Sequence, residues 1–150
     1  MAYEFKATRR VEFADTDMAG IMHYSNFFRF METVEHAFFR SLGFSIAPSQ
    51  FPSAPAKVGW PRVHAECDFH KPLHFEDEVE IHMLITEKRS KSLSYLFKFR
   101  KMNGPHPIEV GRGKLTVVCV TRDGHGKMTS ATIPAKIADK IEVAPADLLA

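Results

Sequence analysis

Residues 25–43 read SNFFRFMETVEHAFFRSLG, and this stretch decides the fold class. Its apolar side chains recur at the i, i+3, i+4, i+7 spacing of an amphipathic helix. The members of this apolar face are Phe27, Phe30, Met31, Val34, Ala37, Phe38 and Leu42. Gly43 follows as the residue type that commonly ends a helix. The pattern predicts one long helix from about Ser25 to Leu42, with a buried face and a narrow polar strip.

Strand patterns flank this helix. Residues 5–13 precede it, and apolar residues alternate with more polar ones over residues 79–85 and 93–99. Residues 115–120 form a further β-branched run, while Asn103-Gly104 and Asp123-Gly124 supply turns. The order predicts an α+β domain whose curved antiparallel sheet wraps around one long helix. We expect one domain over residues 1–150, with a core of about 5–122 and a peripheral C-terminal extension.

Composition narrows the function classes. The 150 residues carry a net charge of +2 from mixed charges, without a nucleic-acid motif. No segment has the apolar length of a membrane span or a secretory signal, and two cysteines without metal or redox spacing favour a reducing compartment. We therefore expect a cytoplasmic protein without a nucleic-acid partner. One helix covers only one sheet face, which predicts a homodimer or homotetramer.

Residues 11–27 read VEFADTDMAGIMHYSNF and place carboxylates directly before the predicted helix. A helix N-terminus presents free N–H groups and a partial positive charge, which suit a carbonyl oxygen that becomes negative during acyl transfer. A nearby aspartate can attack that carbonyl or activate water. Taken singly, Asp and Gly before a helix are more often turn formers or caps.

Order and spacing carry a resemblance. Asp15, Asp17, Gly20, Tyr24 and Asn26 follow the pattern of the 4-hydroxybenzoyl-CoA thioesterase and YbgC-like branch of the hot-dog superfamily. Weaker matches follow at Asp68-Phe69-His70-Lys71-Pro72, at Asp77 and at Lys91-Ser92, so that the resemblance covers about residues 5–122. The chain departs from the YbgC-like pattern, which tends to have His at position 24 and Tyr at position 27.

The resemblance implies a thioesterase that acts on acyl-CoA or acyl-carrier thioesters, with no cofactor because coenzyme A is part of the substrate. Asp17 is the implied nucleophile or general base, and the helix amides around His23 and Tyr24 are the implied oxyanion site. The residues implied or considered for substrate binding are Arg89, Lys91 and Ser92 for the CoA phosphates, and Gly20, Phe27, Phe28 and Trp60 for the loop and acyl pocket. Glu32 is considered for an acyl pocket across a dimer interface, although a solvated helix carboxylate is the commoner case.

Three alternatives remain at this point. Eight histidines, with His70 and His74 four apart, invite a metal site, but no metal motif supports it, so none is predicted. A hot-dog hydratase or dehydratase would use His23 beside Asp17 for proton transfer. A non-catalytic module would bind acyl-CoA without turnover. Rapid thiol release would argue against both of the latter.

Overall fold

The computed structural model describes residues 1–47 and 57–150. The prolines and serines from Ala47 to Ala56 predict a loop, most of which lies outside the described residues. The main elements are β1 (Glu4–Arg10), α1 (Ser25–Ser41), β2 (Arg62–Phe69), β3 (Glu78–Lys88), β4 (Ser92–Lys101) and β5 (Ile108–Val118). The shorter ones are β6 (Val120–Arg122), β7 (Met128–Ser130), α2 (Ala135–Ala138) and 3-10 turns at Phe13–Asp15 and Ala146–Leu149.

The five long strands form one antiparallel sheet in the order β1-β3-β4-β5-β2. Strand β4 lies at its centre between β3 and β5, and β1 and β2 are its edges. Because β2 precedes β3 in the chain but pairs with β5, the segment after β2 crosses from one side of the sheet to the other. This is the predicted arrangement of one long helix on an antiparallel sheet.

Helix α1 begins at Ser25, as predicted, and ends at Ser41, one residue early. Gly43 then has a φ of +90°, a left-handed conformation that glycine adopts without steric cost. The helix buries its apolar face against the sheet, and Phe39, which the pattern places beside that face, is also fully buried. The central core residues of the sheet include Ile81, Met83, Phe97 and Phe99.

Two glycines of β5 let the helix and the edge strand come close. A Cβ atom on Gly113 would lie 2.3 Å from the Met31 Cε, and one on Gly111 would lie 2.8 Å from the Asp68 carbonyl oxygen. Both distances are far below van der Waals contact. Where β5 meets β2, the close packing therefore requires glycine at both positions.

Helix α1 carries one buried charged side chain, Glu35. The Glu35 side chain has no exposed surface, and its Oε1 accepts a short hydrogen bond from Arg62 at the start of β2. Arg62 also donates to the carbonyl oxygen of Trp60 over 2.9 Å. Burial raises the pKa of the Glu35 carboxyl above its usual value, while the positive charge of Arg62 acts in the opposite direction. The pair ties the middle of α1 to β2.

The C-terminal segment is not the peripheral extension that we predicted. Ile133, Ile137 and Ile141 are 4%, 2% and 0% exposed and belong to the main core. On the opposite face of the sheet, Ala144 and the residues near 148 pack against Leu84 and Leu96. The apolar residues of this segment are too widely spaced in the sequence to predict a periodic helix or strand, and for that reason the sequence predicts a peripheral segment. The single domain over residues 1–150 stays a prediction.

Candidate active site

Asp17 is held by a tight turn of the loop between β1 and α1. Its amide donates to the carbonyl oxygen of Ile21 over 3.0 Å, and its own carbonyl oxygen accepts from the Gly20 amide over 3.0 Å. Gly20 has a φ of +81°, which explains a glycine at this position. The Ala19 amide donates to Asp17 Oδ1 over 2.8 Å. The second carboxylate oxygen has no hydrogen-bond partner among the described residues, and Asp17 is exposed.

Asp15 joins this loop to the start of the helix. Its Oδ2 accepts from the Glu12 amide over 2.8 Å. Its carbonyl oxygen accepts from the His23 amide over 2.8 Å and from Nδ2 of the buried Asn26 over 2.8 Å. Asp15 is thus committed to shaping the loop, whereas Asp17 retains a free oxygen.

Among the described residues, one amide at the start of α1 has no hydrogen-bond acceptor. The amides of Asn26 and Phe27 donate to the carbonyl oxygens of His23 and Tyr24, and the Ser25 amide donates to His23 Nδ1 over 3.3 Å. The Tyr24 amide has no acceptor in residues 1–47 or 57–150. The Ser25 hydroxyl lies 2.8 Å from the same His23 Nδ1. Because Nδ1 accepts from the Ser25 amide, a neutral His23 ring carries its proton on Nε2.

A pocket of about 420 Å³ opens beside these groups. Its lining consists of Asp17, Ile21, Met22, Tyr24, Phe27, Phe69, His70, Lys71, Pro72 and Leu73. Phe27 is 4% exposed and packs edge-on against Phe69 with ring centroids 4.9 Å apart. The volume and mainly apolar walls fit a small-molecule site that carries few polar groups.

The structure brings part of the predicted site together and adds residues that the sequence analysis missed. Asp17, Tyr24 and Phe27 share the pocket, and His23 stacks on the exposed Tyr24 ring at 4.6 Å. Residues 69–73 also line the pocket. In the sequence, residues 68–72 are a weak match to the family, and that match did not predict that they line the site. They arrive there because β2 pairs with β5, placing Phe69 opposite Gly111.

Several predicted pocket residues lie elsewhere. Trp60 is 5% exposed and packs on Phe39 at 5.4 Å, so the prediction that it lines the Asp17 pocket is wrong. Phe28 is half-buried and does not line the pocket. Glu32 is exposed, with a carboxylate oxygen 3.9 Å from His36, and its contact with a pocket across a dimer interface stays a prediction. Gly20 lines a second pocket of about 490 Å³, together with Phe13, Thr16, Asp17, Met18 and Phe75.

The predicted phosphate-binding residues are far from Asp17 within one chain. Arg89 and Lys91 are exposed in the turn between β3 and β4, and Ser92 begins β4. The β1–α1 loop leaves the sheet at the opposite end, where Val11 is hydrogen-bonded to Glu76 and Asp77 just before β3. Strand β3 has 11 residues, which at about 3.3 Å each separate the two ends by roughly 35 Å. One chain does not bring these residues to its own pocket.

Asp77, another residue of the family resemblance, supports the loop at this end. Its Oδ2 accepts from the His74 amide over 2.8 Å, and its Oδ1 lies 3.4 Å from the Lys101 ammonium. Burial opposes ionisation, but these hydrogen bonds, that of Asn103 and the charge of Lys101 hold the Asp77 pKa below its usual value. Asp77 remains ionised and structural at neutral pH.

The model of the thioesterase superfamily matches residues 19–108. The chain belongs to the thioesterase superfamily. A protein of Aquifex aeolicus (strain VF5), provisionally named an esterase, is 35% identical over 116 residues, covering 77% of this chain and 84% of that protein.

Two solved structures of thioesterases share the fold. A gentisyl-coenzyme A thioesterase is 31% identical, with a TM-score of 0.74 over 89% of this chain and 98% of its own. The 4-hydroxybenzoyl CoA thioesterase from Pseudomonas sp. strain CBS-3 is 23% identical, with a TM-score of 0.80 over 92% and 99% of the two chains. The predicted family, hot-dog fold and enzyme class, a thioester hydrolase, are confirmed. The family match begins two residues after Asp17, so the roles of the site residues stay predictions.

Residues 1–47 and 57–150 contain no group of three metal-ligating side chains placed to hold an ion. None of their helices is long and apolar enough to cross a membrane.

Proposed function

We propose that this thioesterase hydrolyses acyl-CoA or acyl-carrier thioesters in the pocket beside Asp17. One juxtaposition carries the proposal. Among the described residues, one oxygen of the Asp17 carboxylate and the Tyr24 amide at the helix start have no hydrogen-bond partner, and both residues line the same pocket. Acyl transfer needs a group that attacks or activates water, and a donor for the oxyanion. Asp17 and the Tyr24 amide supply these two functions.

In the proposed reaction, the Tyr24 amide donates to the thioester carbonyl oxygen. The ionised Asp17 either attacks the carbonyl carbon, forming a mixed anhydride that water then hydrolyses, or accepts a proton from an attacking water. In both routes the carbon–sulfur bond breaks and coenzyme A leaves as a thiolate, which needs little acid assistance. The products are a free acid and a thiol.

The aromatic walls make aromatic acyl groups the first class to test. The Phe69 ring contacts Phe27 and Tyr24 edge-on at centroid distances of 4.9 and 6.3 Å, and such rings favour a flat apolar ligand. The relatives named for gentisyl and 4-hydroxybenzoyl thioesters support this order of testing. Aliphatic acyl-CoAs form the comparison set.

A second copy of the chain would supply the phosphate contacts. Arg89, Lys91 and Ser92 lie at the wrong end of their own sheet, but the edge strand β2 offers a surface for association. Val63 and Phe69 on this strand are 62% and 48% exposed, and a bare edge with exposed apolar side chains favours pairing with another chain. A homodimer or homotetramer in the cytoplasm is the proposed working form.

The test is thiol release from a panel of aromatic and aliphatic acyl-CoAs. Asp17→Asn is nearly isosteric and should abolish turnover without lowering thermal stability, because it removes only the carboxylate charge. Asp147→Asn removes an exposed carboxylate remote from the pocket and is the matched control. An active Asp17→Asn variant would refute the assignment, whereas a wild type that binds acyl-CoA without turnover would indicate a binding module.

The shared site has its own test. Mixing Asp17→Asn with Arg89→Ala subunits should restore part of the activity that each variant lacks, because a hybrid oligomer contains a site with both residues intact. Failure of subunit exchange is checked by native mass spectrometry. Hybrids that form but stay inactive would rule out phosphate contacts from a second copy.

A further inference from the structure

The basic turn between β3 and β4 is held in place by the C-terminal segment. The Lys88 ammonium donates to the carbonyl oxygens of Ala138 over 2.7 Å and Ile141 over 2.8 Å. The Ser90 carbonyl oxygen accepts from the Ile133 amide over 2.8 Å. These contacts join a turn to residues more than 40 positions later in the chain.

The bonds from Lys88 have a clear physical role. Ala138 is the last residue of α2, where carbonyl groups lack helical partners and attract a cation. Hydrogen bonds from an ammonium are stronger than those between neutral groups. The segment that receives them is itself fixed, because Ile137 and Ile141 are 2% and 0% exposed in the core.

The other cations of the turn are left free of this scaffold. The Arg89 side chain is 69% exposed, and its Nε donates to the carboxylate of Glu87, which is itself 46% exposed, over 2.6 Å. The Lys91 backbone is fixed, since its carbonyl oxygen accepts from the Cys119 amide over 2.8 Å, while its side chain is exposed. The turn therefore combines a rigid backbone with two cationic side chains that face solvent.

We infer that Lys88 is a positioning residue that, by anchoring the turn to the C-terminal segment, presents Arg89 and Lys91 to the phosphates of coenzyme A. The inference rests on the proposed function, because it takes the turn as the phosphate site. It gives the three cations of the turn different partners: Lys88 binds carbonyl groups of the protein, whereas Arg89 and Lys91 bind the phosphates of the ligand. It also gives the C-terminal segment a role in substrate binding.

The experiment measures binding of free coenzyme A to the full chain by isothermal titration calorimetry. Lys88→Met should raise the Kd about tenfold, because the turn loses a charge-assisted anchor. Lys136→Met is the matched control: it removes the same charge from the exposed side of α2 and should leave the Kd unchanged. If Lys88→Met does not fold, Lys88→Gln, which keeps a neutral donor, takes its place.

A second readout separates positioning from a general loss of structure. In Lys88→Met, the KM should rise for the acyl-CoA that the wild type hydrolyses fastest, but not for the corresponding N-acetylcysteamine thioester, which lacks phosphates. Lys88→Arg, which retains the charge, should recover most of the affinity for coenzyme A. A KM that rises equally for both thioesters would overturn the inference.

The double variant Arg89→Ala/Lys91→Ala separates the positioning role of Lys88 from the phosphate role of the turn. If it loses coenzyme A while Lys88→Met binds as the wild type does, the inference is wrong and the proposed phosphate role stands. If the double variant itself binds coenzyme A normally, the turn is not the phosphate site, and both the role and the inference fall.

Discussion

Replacing Arg62 with methionine should destabilise the protein because it leaves the Glu35 carboxylate buried without its partner. Glu35 has no exposed surface, and the Arg62 side chain is 30% exposed. Removing one member of a buried ion pair costs about 3–5 kcal/mol, and the partial exposure of Arg62 places this pair near the lower end, about 3 kcal/mol. At about 2–4 °C per kcal/mol for a chain of this size, the Tm should fall by roughly 6–12 °C.

The loss should depend on pH in a defined direction. Burial already raises the Glu35 pKa, and Arg62 opposes that rise. A carboxyl with a raised folded-state pKa binds more protons when folded, so stability is greatest below its unfolded pKa and falls as pH rises through the folded one. Without Arg62 the folded pKa rises further. The gap in stability between Arg62→Met and wild type should therefore widen from pH 4.5 to pH 8.

Thermal and urea unfolding at the two pH values provide the assay. The double variant Glu35→Gln/Arg62→Met should lose the widening, because the titrating group is gone. Arg10→Met, which breaks an ion pair exposed on both sides with Glu78, is the control and should change the Tm little. A Tm of Arg62→Met within 1 °C of the wild type, or a gap that narrows with pH, would refute the reasoning.

Two further substitutions test the packing around the site. Gly111→Ala should lower the free energy of unfolding by about 1–3 kcal/mol, because the new Cβ would lie 2.8 Å from the Asp68 carbonyl oxygen. Gly104→Ala is the control, since its Cβ would meet no atom closer than 3.7 Å. Equal melting temperatures for the two variants would contradict the close approach at Gly111. Asn26→Ala should lower the free energy of unfolding by about 1 kcal/mol and should lower kcat, because the Asn26 side chain joins the Asp17 loop to α1. Thermal unfolding and thiol release measure the two effects. An unchanged kcat would show that the loop keeps its conformation without that hydrogen bond.

Local patterns were sufficient for the helix and for its entry loop. The periodicity of α1 is encoded within 17 residues, and Gly43 marks its end in the sequence itself. Glu35 shows the limit of the same reasoning. It lies one turn beyond Met31 on the buried side, yet nothing nearby in the sequence explains a buried charge. Its partner, Arg62, is 27 residues away and on another element, so only tertiary structure reveals the pair.

The far wall of the pocket escaped prediction for a related reason. Phe69 and Leu73 lie some 50 residues after Asp17 and reach it only because β2 crosses to pair with β5. Strand order across a sheet is not contained in the alternation of apolar residues along each strand. For Trp60 the sequence pattern does not decide between two places, since a large aromatic residue suits an acyl pocket and a core equally well. In the structure Trp60 packs on Phe39 in the core.

The separation of Arg89 from Asp17, in contrast, follows from features that the sequence already contained. Two strands of about ten residues joined by the turn at Arg89 form an antiparallel hairpin, so the turn lies a full strand length from the start of β3. Hydrogen bonds to Glu76 and Asp77 fix the β1–α1 loop at that start. If both residues serve one substrate, they must come from two chains. Oligomerisation is then a requirement of the proposed chemistry, beyond its role in covering apolar surface.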